Sequence, residues 1–179
     1  MRMTIALVSL AALAACAVQA ESASTTASAA AEPLYVRHAM QAEVNPAIVG
    51  IWEVTNNVYT DAGEQDASLI TDAQWASLAE NAGTLASVGE RMAAAPVIHA
   101  ASAGNMATDE YEVAMADVQR FIDNDRQGFR DMSASFAVLA RNLEAAAMAK
   151  DGDTALELVG QMDAECSACH AQFWYAEAQ

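Results

Sequence analysis

The sequence predicts an all-α fold, an antiparallel four-helix bundle, on three observations. Alternating runs of Val, Ile and Thr that would read as strands are absent, whereas Ala, Leu, Met, Glu and Gln abound. Apolar residues recur at spacings of three and four in four successive segments. The last two segments are joined by only "KDGD" (Lys150 to Asp153), and a connection that short makes its two helices antiparallel neighbours.

The first helix is expected over about Leu34 to Val58. Val36, Met40, Val44, Ile48, Ile51 and Trp52 form one apolar face. Pro46 lies inside the pattern, removes one backbone donor, and is expected to kink or split the helix. "DAGEQDASLI" (Asp61 to Ile70) reads as a polar loop. The second helix opens at Thr71, which with Gln74 fits a capping box. Trp75, Leu78, Ala82, Leu85 and Met92 carry its apolar stripe, and Pro96 marks its end. Gly83 and Gly89 cost helix propensity, so they are expected to admit a close neighbour or a flat ligand. After a small-residue linker, the third helix is expected from Thr108 to Ala149, with Asp109 and Glu110 suiting its N-terminal dipole. Its length calls for a break near Asn124 to Gly128. The fourth helix, with Asp153 as expected N-cap, carries Leu156, Val159, Met162, Cys166, Cys169, His170 and Phe173.

Residues 1–20 read as an export signal rather than as part of the fold. One basic residue, Arg2, precedes an apolar run from Ile5 to Ala15 that is too short to span a bilayer. Two cleavage readings stand. Leu13-Ala14-Ala15-Cys16 resembles a lipobox, in which Cys16 is lipidated; Val18-Gln19-Ala20 suits ordinary signal peptidase. The lipobox is preferred because it alone gives Cys16 a role, and its two acyl chains suffice for stable anchoring. Residues 21–33, rich in Ser, Thr and Ala, read as a flexible tether, and 34–179 as one domain able to bury a core. The expected location is the periplasm, with a possible lipid tether to the membrane.

The formal charge is −16, with Lys150 the only lysine. Such a surface repels nucleic acid and anionic lipid. It suits a cationic partner or serves solubility alone.

The chemistry is carried by "CSACH", Cys166 to His170. Two cysteines three apart followed at once by histidine is the c-type haem attachment pattern. On a helix, positions i, i+3 and i+4 lie on one side. Two thiols can then bond the two vinyl groups at one haem edge while the imidazole reaches the iron. The expected cofactor is one covalent haem c per chain, with His170 the proximal ligand. Three other readings stay open. A disulfide suits an oxidising compartment but leaves the histidine unexplained. A zinc site needs further ligands, for which only His38 or His99 remain beside Cys16. A redox-active dithiol normally sits between a strand and a helix, a setting missing here.

The attachment motif at the end of the last of four helices resembles the class II c-type cytochromes, the cytochrome c prime group. "YVRHAMQAEVNPAIVGIW" (Tyr35 to Trp52) is similar to the first helix of the low-spin, methionine-ligated members. The resemblance covers about Leu34 to Tyr175. It implies a sixth iron ligand from the first helix, which here is Met40. The family often has tyrosine and arginine three and four residues after the motif histidine; this chain has Phe173 and Trp174. Arg37 is the substitute candidate for contacting a haem propionate. His38, two residues from Met40, should point elsewhere. His99 reads as a surface residue and the other methionines of the domain as packing or surface.

Two functions follow from the resemblance. With His170 and Met40 both on the iron, the protein carries single electrons between redox partners that have a basic docking surface. With no sixth ligand, it binds a small gas such as nitric oxide or carbon monoxide. No residue pattern points to an enzyme: there is no paired nucleophile and base and no phosphate-binding glycine loop. Class II relatives are often homodimers through their first two helices, where Trp52 and Trp75 could serve as interface or as core.

Overall fold

The structure is a computed structural model that describes residues 32–108, 110 and 112–175. The export signal with Cys16, most of the tether, Asp109, Tyr111 and residues 176–179 lie outside the described residues. The unit Ala31–Gln179 is built almost wholly from helices.

The first helical segment comprises α1 (Val36–Ala39), a π turn (Met40–Val44) and α2 (Asn45–Thr55). The expected break at Pro46 takes this form because the chain changes register just before the proline. The Asn45 N–H donates to the Met40 carbonyl, one residue wider than an α-helical bond. Pro46 then falls in the first turn of α2, where no donor is required. Backbone angles at Met40, Val44 and Asn45 stay right-handed helical, so the helix continues through the wide turn.

Helix α3 (Asp72–Ala94) starts as expected. Thr71 Oγ accepts from the Gln74 N–H at 3.3 Å and the Thr71 N–H donates to Gln74 Oε1 at 2.9 Å. Trp75, Leu78, Ala82, Leu85 and Met92 are all buried. Its main partner is α5 (Arg126–Ala149), and Gly89 lies in the contact between them. A Cβ at Gly89 would stand 3.0 Å from the Ser133 carbonyl oxygen and 3.0 Å from Ala137 Cβ. The neighbour that this glycine admits is therefore a helix. Gly89→Val is expected to lower unfolding free energy by about 1–3 kcal/mol through overpacking, read from urea denaturation.

One short parallel pair, β1 (Leu34–Tyr35) with β2 (Ile98–His99), departs from the strand-free expectation. It forms because the linker after α3 runs back along the start of α1, with Leu34 N–H on the Val97 carbonyl at 2.9 Å and Arg37 N–H on Ala100 at 2.8 Å. His99 is accordingly not a plain surface residue: it is half-buried and stacked on Tyr35, ring centroids 5.5 Å apart.

The third expected helix begins later than Thr108. Helix α4 spans Met115–Asn124. Before it, a 3-10 turn (Ala103–Asn105) leads into non-helical chain, and the carbonyls of Asn105 and Ala107 accept from Arg37. The expected break falls at Asp125, whose backbone leaves the helical region and whose side chain caps α5 through the Gly128 N–H at 2.9 Å. Helix α6 (Gly152–Phe173) is capped by Asp151 and not by Asp153. Lys150 turns left-handed at φ 55°, which closes α5 at Ala149 as expected, and the Asp151 carboxylate accepts from the Thr154 N–H at 3.3 Å. Helix α5 packs along α6, and α2 along α3. Between them lie the fully buried Ile51, Leu78, Leu85, Ile122, Leu143 and Met162. Trp75 belongs to this core, whereas Trp52 does not: it is 37% exposed.

Candidate functional site

Helix α6 carries the motif as helix geometry requires. Cys166 and Cys169, half-buried free thiols, pack against the apolar core from one side of the helix. Burial pushes the Cys166 thiol up to about 11, helped by the Asp163 and Glu165 carboxylates. Burial also pushes Cys169 up to about 11, with Cys166 and Glu165 adding to it. Both are S–H groups at neutral pH, the opposite of the low-pKa thiol of a redox-active dithiol. His170 is exposed overall, but desolvation of the part of its ring turned inward holds its pKa below the usual imidazole value.

The end of α6 is held in place from three sides. Gln172 Nε2 donates to Asp125 Oδ2 at 2.8 Å, tying the helix to the α4–α5 break. Phe173 is buried edge-on to Phe129, centroids 5.4 Å apart. Trp174 and Tyr175 both donate their N–H groups to the His170 carbonyl, which ends the helix and sets their rings 6.4 and 6.1 Å from the imidazole. Phe173 thus packs on Phe129 and Trp174 lies against His170.

Two cavities flank His170. One, of about 220 Å³, runs from α1 to α6 past Val118, Ile122 and Phe129. The other, of about 140 Å³, runs under Val44, Ile48, Met92, Met132 and Phe136. Only Met40, Asn45, Cys169 and His170 line both. Met40 and His170, far apart in the chain, are thereby brought to one place. The π turn bears on this arrangement: in an α-helix, residues five apart diverge by about 140°, whereas the wider turn keeps Met40 and Asn45 on one wall. Met92 was legible only as a position on an apolar stripe, and neither it nor Met132 nor Asn45 could be placed beside the motif, because periodicity tells which face of a helix is buried but not which neighbour it meets.

Arg37 is buried and lines the larger cavity beside His170 and Cys169. Its guanidinium is largely engaged: Nη1 donates to the carbonyls of Asn105 and Ala107, and Nη2 to Glu112 Oε2 at 2.9 Å. Three of its five N–H donors are used in these bonds. It ties Asn105, Ala107 and Glu112 to α1, and Glu112 lines the cavity with it. His38 is exposed and lines neither cavity. With His38 in solvent and His99 stacked on Tyr35, the histidines that a zinc reading would recruit stand apart from the cysteine pair. Among the described residues no group of three His, Cys, Asp or Glu side chains could hold a metal ion.

The residues present fit a covalently held haem: two unbonded thiols three apart, an adjacent imidazole, a thioether lining the same cavities, and apolar walls. Compared with protein-family models, curated proteins and solved structures, the chain matches none.

Proposed function

We propose that this protein is an extracytoplasmic c-type haem protein that carries single electrons, built as an antiparallel four-helix bundle of the class II cytochrome type. The observation that carries the reading is the convergence of Met40 with His170 and Cys169 on both cavities. Cys166 and Cys169 hold the haem by thioether bonds, His170 is the proximal iron ligand and Met40 the sixth. The haem supplies a one-electron couple, and histidine–methionine ligation raises its potential.

The chain's own residues do the rest. Phe129, Phe173 and Ile122 exclude water from the larger cavity. The capped and tethered end of α6 keeps His170 from turning with a change of charge nearby. Arg37 retains Nε–H and one Nη2–H for a propionate while holding its loop. No proton transfer to an organic substrate is required, which suits an electron carrier and not an enzyme.

Export by residues 1–20, and a lipid tether through Cys16, place the protein in the periplasm. Among the described residues no helix is long and apolar enough to cross a membrane. Its partners are redox proteins and not nucleic acid, given a charge of −16.

The test is the protein matured in a host with haem-attachment machinery. A mass increase of one haem and sharp low-spin bands on reduction are expected. A broad high-spin band with ready carbon monoxide binding would instead establish the gas-binding function, and no mass increase would leave a haem-free helical module.

A further inference from the structure

Trp52 joins the smaller cavity to the molecular surface. It lines that cavity together with Glu165, Cys166 and Cys169, and it also lines an outer groove of about 340 Å³ with Tyr59, Gly160 and Asp163. Its Nε1–H donates to Asp163 Oδ1 at 3.3 Å, which fixes the indole between α2 and α6. Gly160 leaves the groove floor open, with nothing within 4 Å of the position a Cβ would take. Trp52 and Tyr59 are 37% and 48% exposed, so two aromatic rings face solvent beside the motif.

The charge around these rings is one-sided. Neither lining includes a lysine or arginine, and Asp163 and Glu165 border the indole. Arg37, Arg91, Arg126, Arg141 and Lys150 form their ion pairs with acids elsewhere. An exposed aromatic anchor, bordered by Asp163 and Glu165 that form no ion pair among the described residues, matches a partner of opposite charge.

We propose that the α2–α6 groove around Trp52 is the docking surface for a lysine-rich redox protein, and that Trp52 is the contact between that partner and the motif side of α6. The inference rests on the electron-carrier reading. One electron passes from whichever protein is reduced to the one that is oxidised; no bond forms and no proton moves. The acids steer the encounter, and the indole desolvates its centre. Small, weak interfaces of this kind suit partners that must separate after each transfer.

The test uses the haem-loaded protein with a lysine-rich class I cytochrome c as probe. Electron exchange is followed by stopped-flow absorbance and binding by calorimetry, each at low and high salt. Asp163→Asn/Glu165→Gln is expected to slow exchange and weaken binding by about tenfold at low salt, and the wild-type values should approach the variant's as salt rises. Glu32→Gln/Glu80→Gln removes the same charge at exposed residues that line neither the groove nor the smaller cavity and should change both values little. Trp52→Ala should lose both, while Trp52→Phe keeps part of each. Equal losses in the two double variants would mean that net charge alone attracts the probe, and would overturn the docking face. So would a Trp52→Ala variant that only abolishes self-association in sedimentation, since the groove would then be a contact between copies. A chain that matures without haem overturns the electron-carrier reading by its spectrum, and the calorimetric comparison then decides the face alone.

Discussion

His170→Ala is expected to keep haem attached through Cys166 and Cys169 while abolishing normal iron ligation. The mass increment should persist, since the imidazole takes no part in the two thioether bonds. The low-spin bands should disappear, and the midpoint potential should move by on the order of 100 mV or more, because axial ligands are the strongest lever on it. His170 is exposed, so its truncation alone costs only about 0.5 kcal/mol. A lost spectrum in a protein with unchanged helicity therefore reports on ligation. An unchanged visible spectrum would remove His170 as the proximal ligand.

Met40→Ala carries the second large effect. The reduced spectrum should turn high-spin, carbon monoxide should bind where the wild type takes up little, and the midpoint potential should fall by on the order of 100 mV, since thioether ligation favours the reduced iron. Met40 is half-buried and packed against the core. The direct packing cost therefore sits near the lower end of the roughly 2–5 kcal/mol for truncating a buried methionine. Met92 and Met132 also line the smaller cavity, and they supply the control. Neither lines the larger one, so Met92→Leu and Met132→Leu should remain low-spin. A Met40→Ala protein that stays low-spin and inert to carbon monoxide, beside a Met132→Leu protein that does not, would transfer the ligand role to Met132.

Both expectations join a part of the molecule that was legible in the sequence to one that was not. The positions of Cys166, Cys169 and His170 on one side of a helix followed from their spacing, because contacts within a helix depend only on its own repeat. For the same reason the Thr71–Gln74 capping box and the break near Asp125 could be read directly. Local polar groups satisfy local backbone there, and no distant residue is needed.

The sequence by itself thus determined that the chain is helical, where most helices lie and which residues carry the motif. The tertiary structure alone decided which surfaces meet. It set a π turn just before Pro46, leaving the proline in the first turn of α2, and so put Met40 beside Asn45 on the cavity wall. It buried Trp75 and left Trp52 at the surface, although both lie on apolar stripes. It started α4 at Met115 and tied the carbonyls of Asn105 and Ala107, in the chain before it, to Arg37, a residue about seventy positions earlier. The physical reason is common to all three: a helix's periodicity gives its apolar face, while rotation against its neighbours and the hold on the intervening loops come from packing and hydrogen bonds between residues remote in the chain.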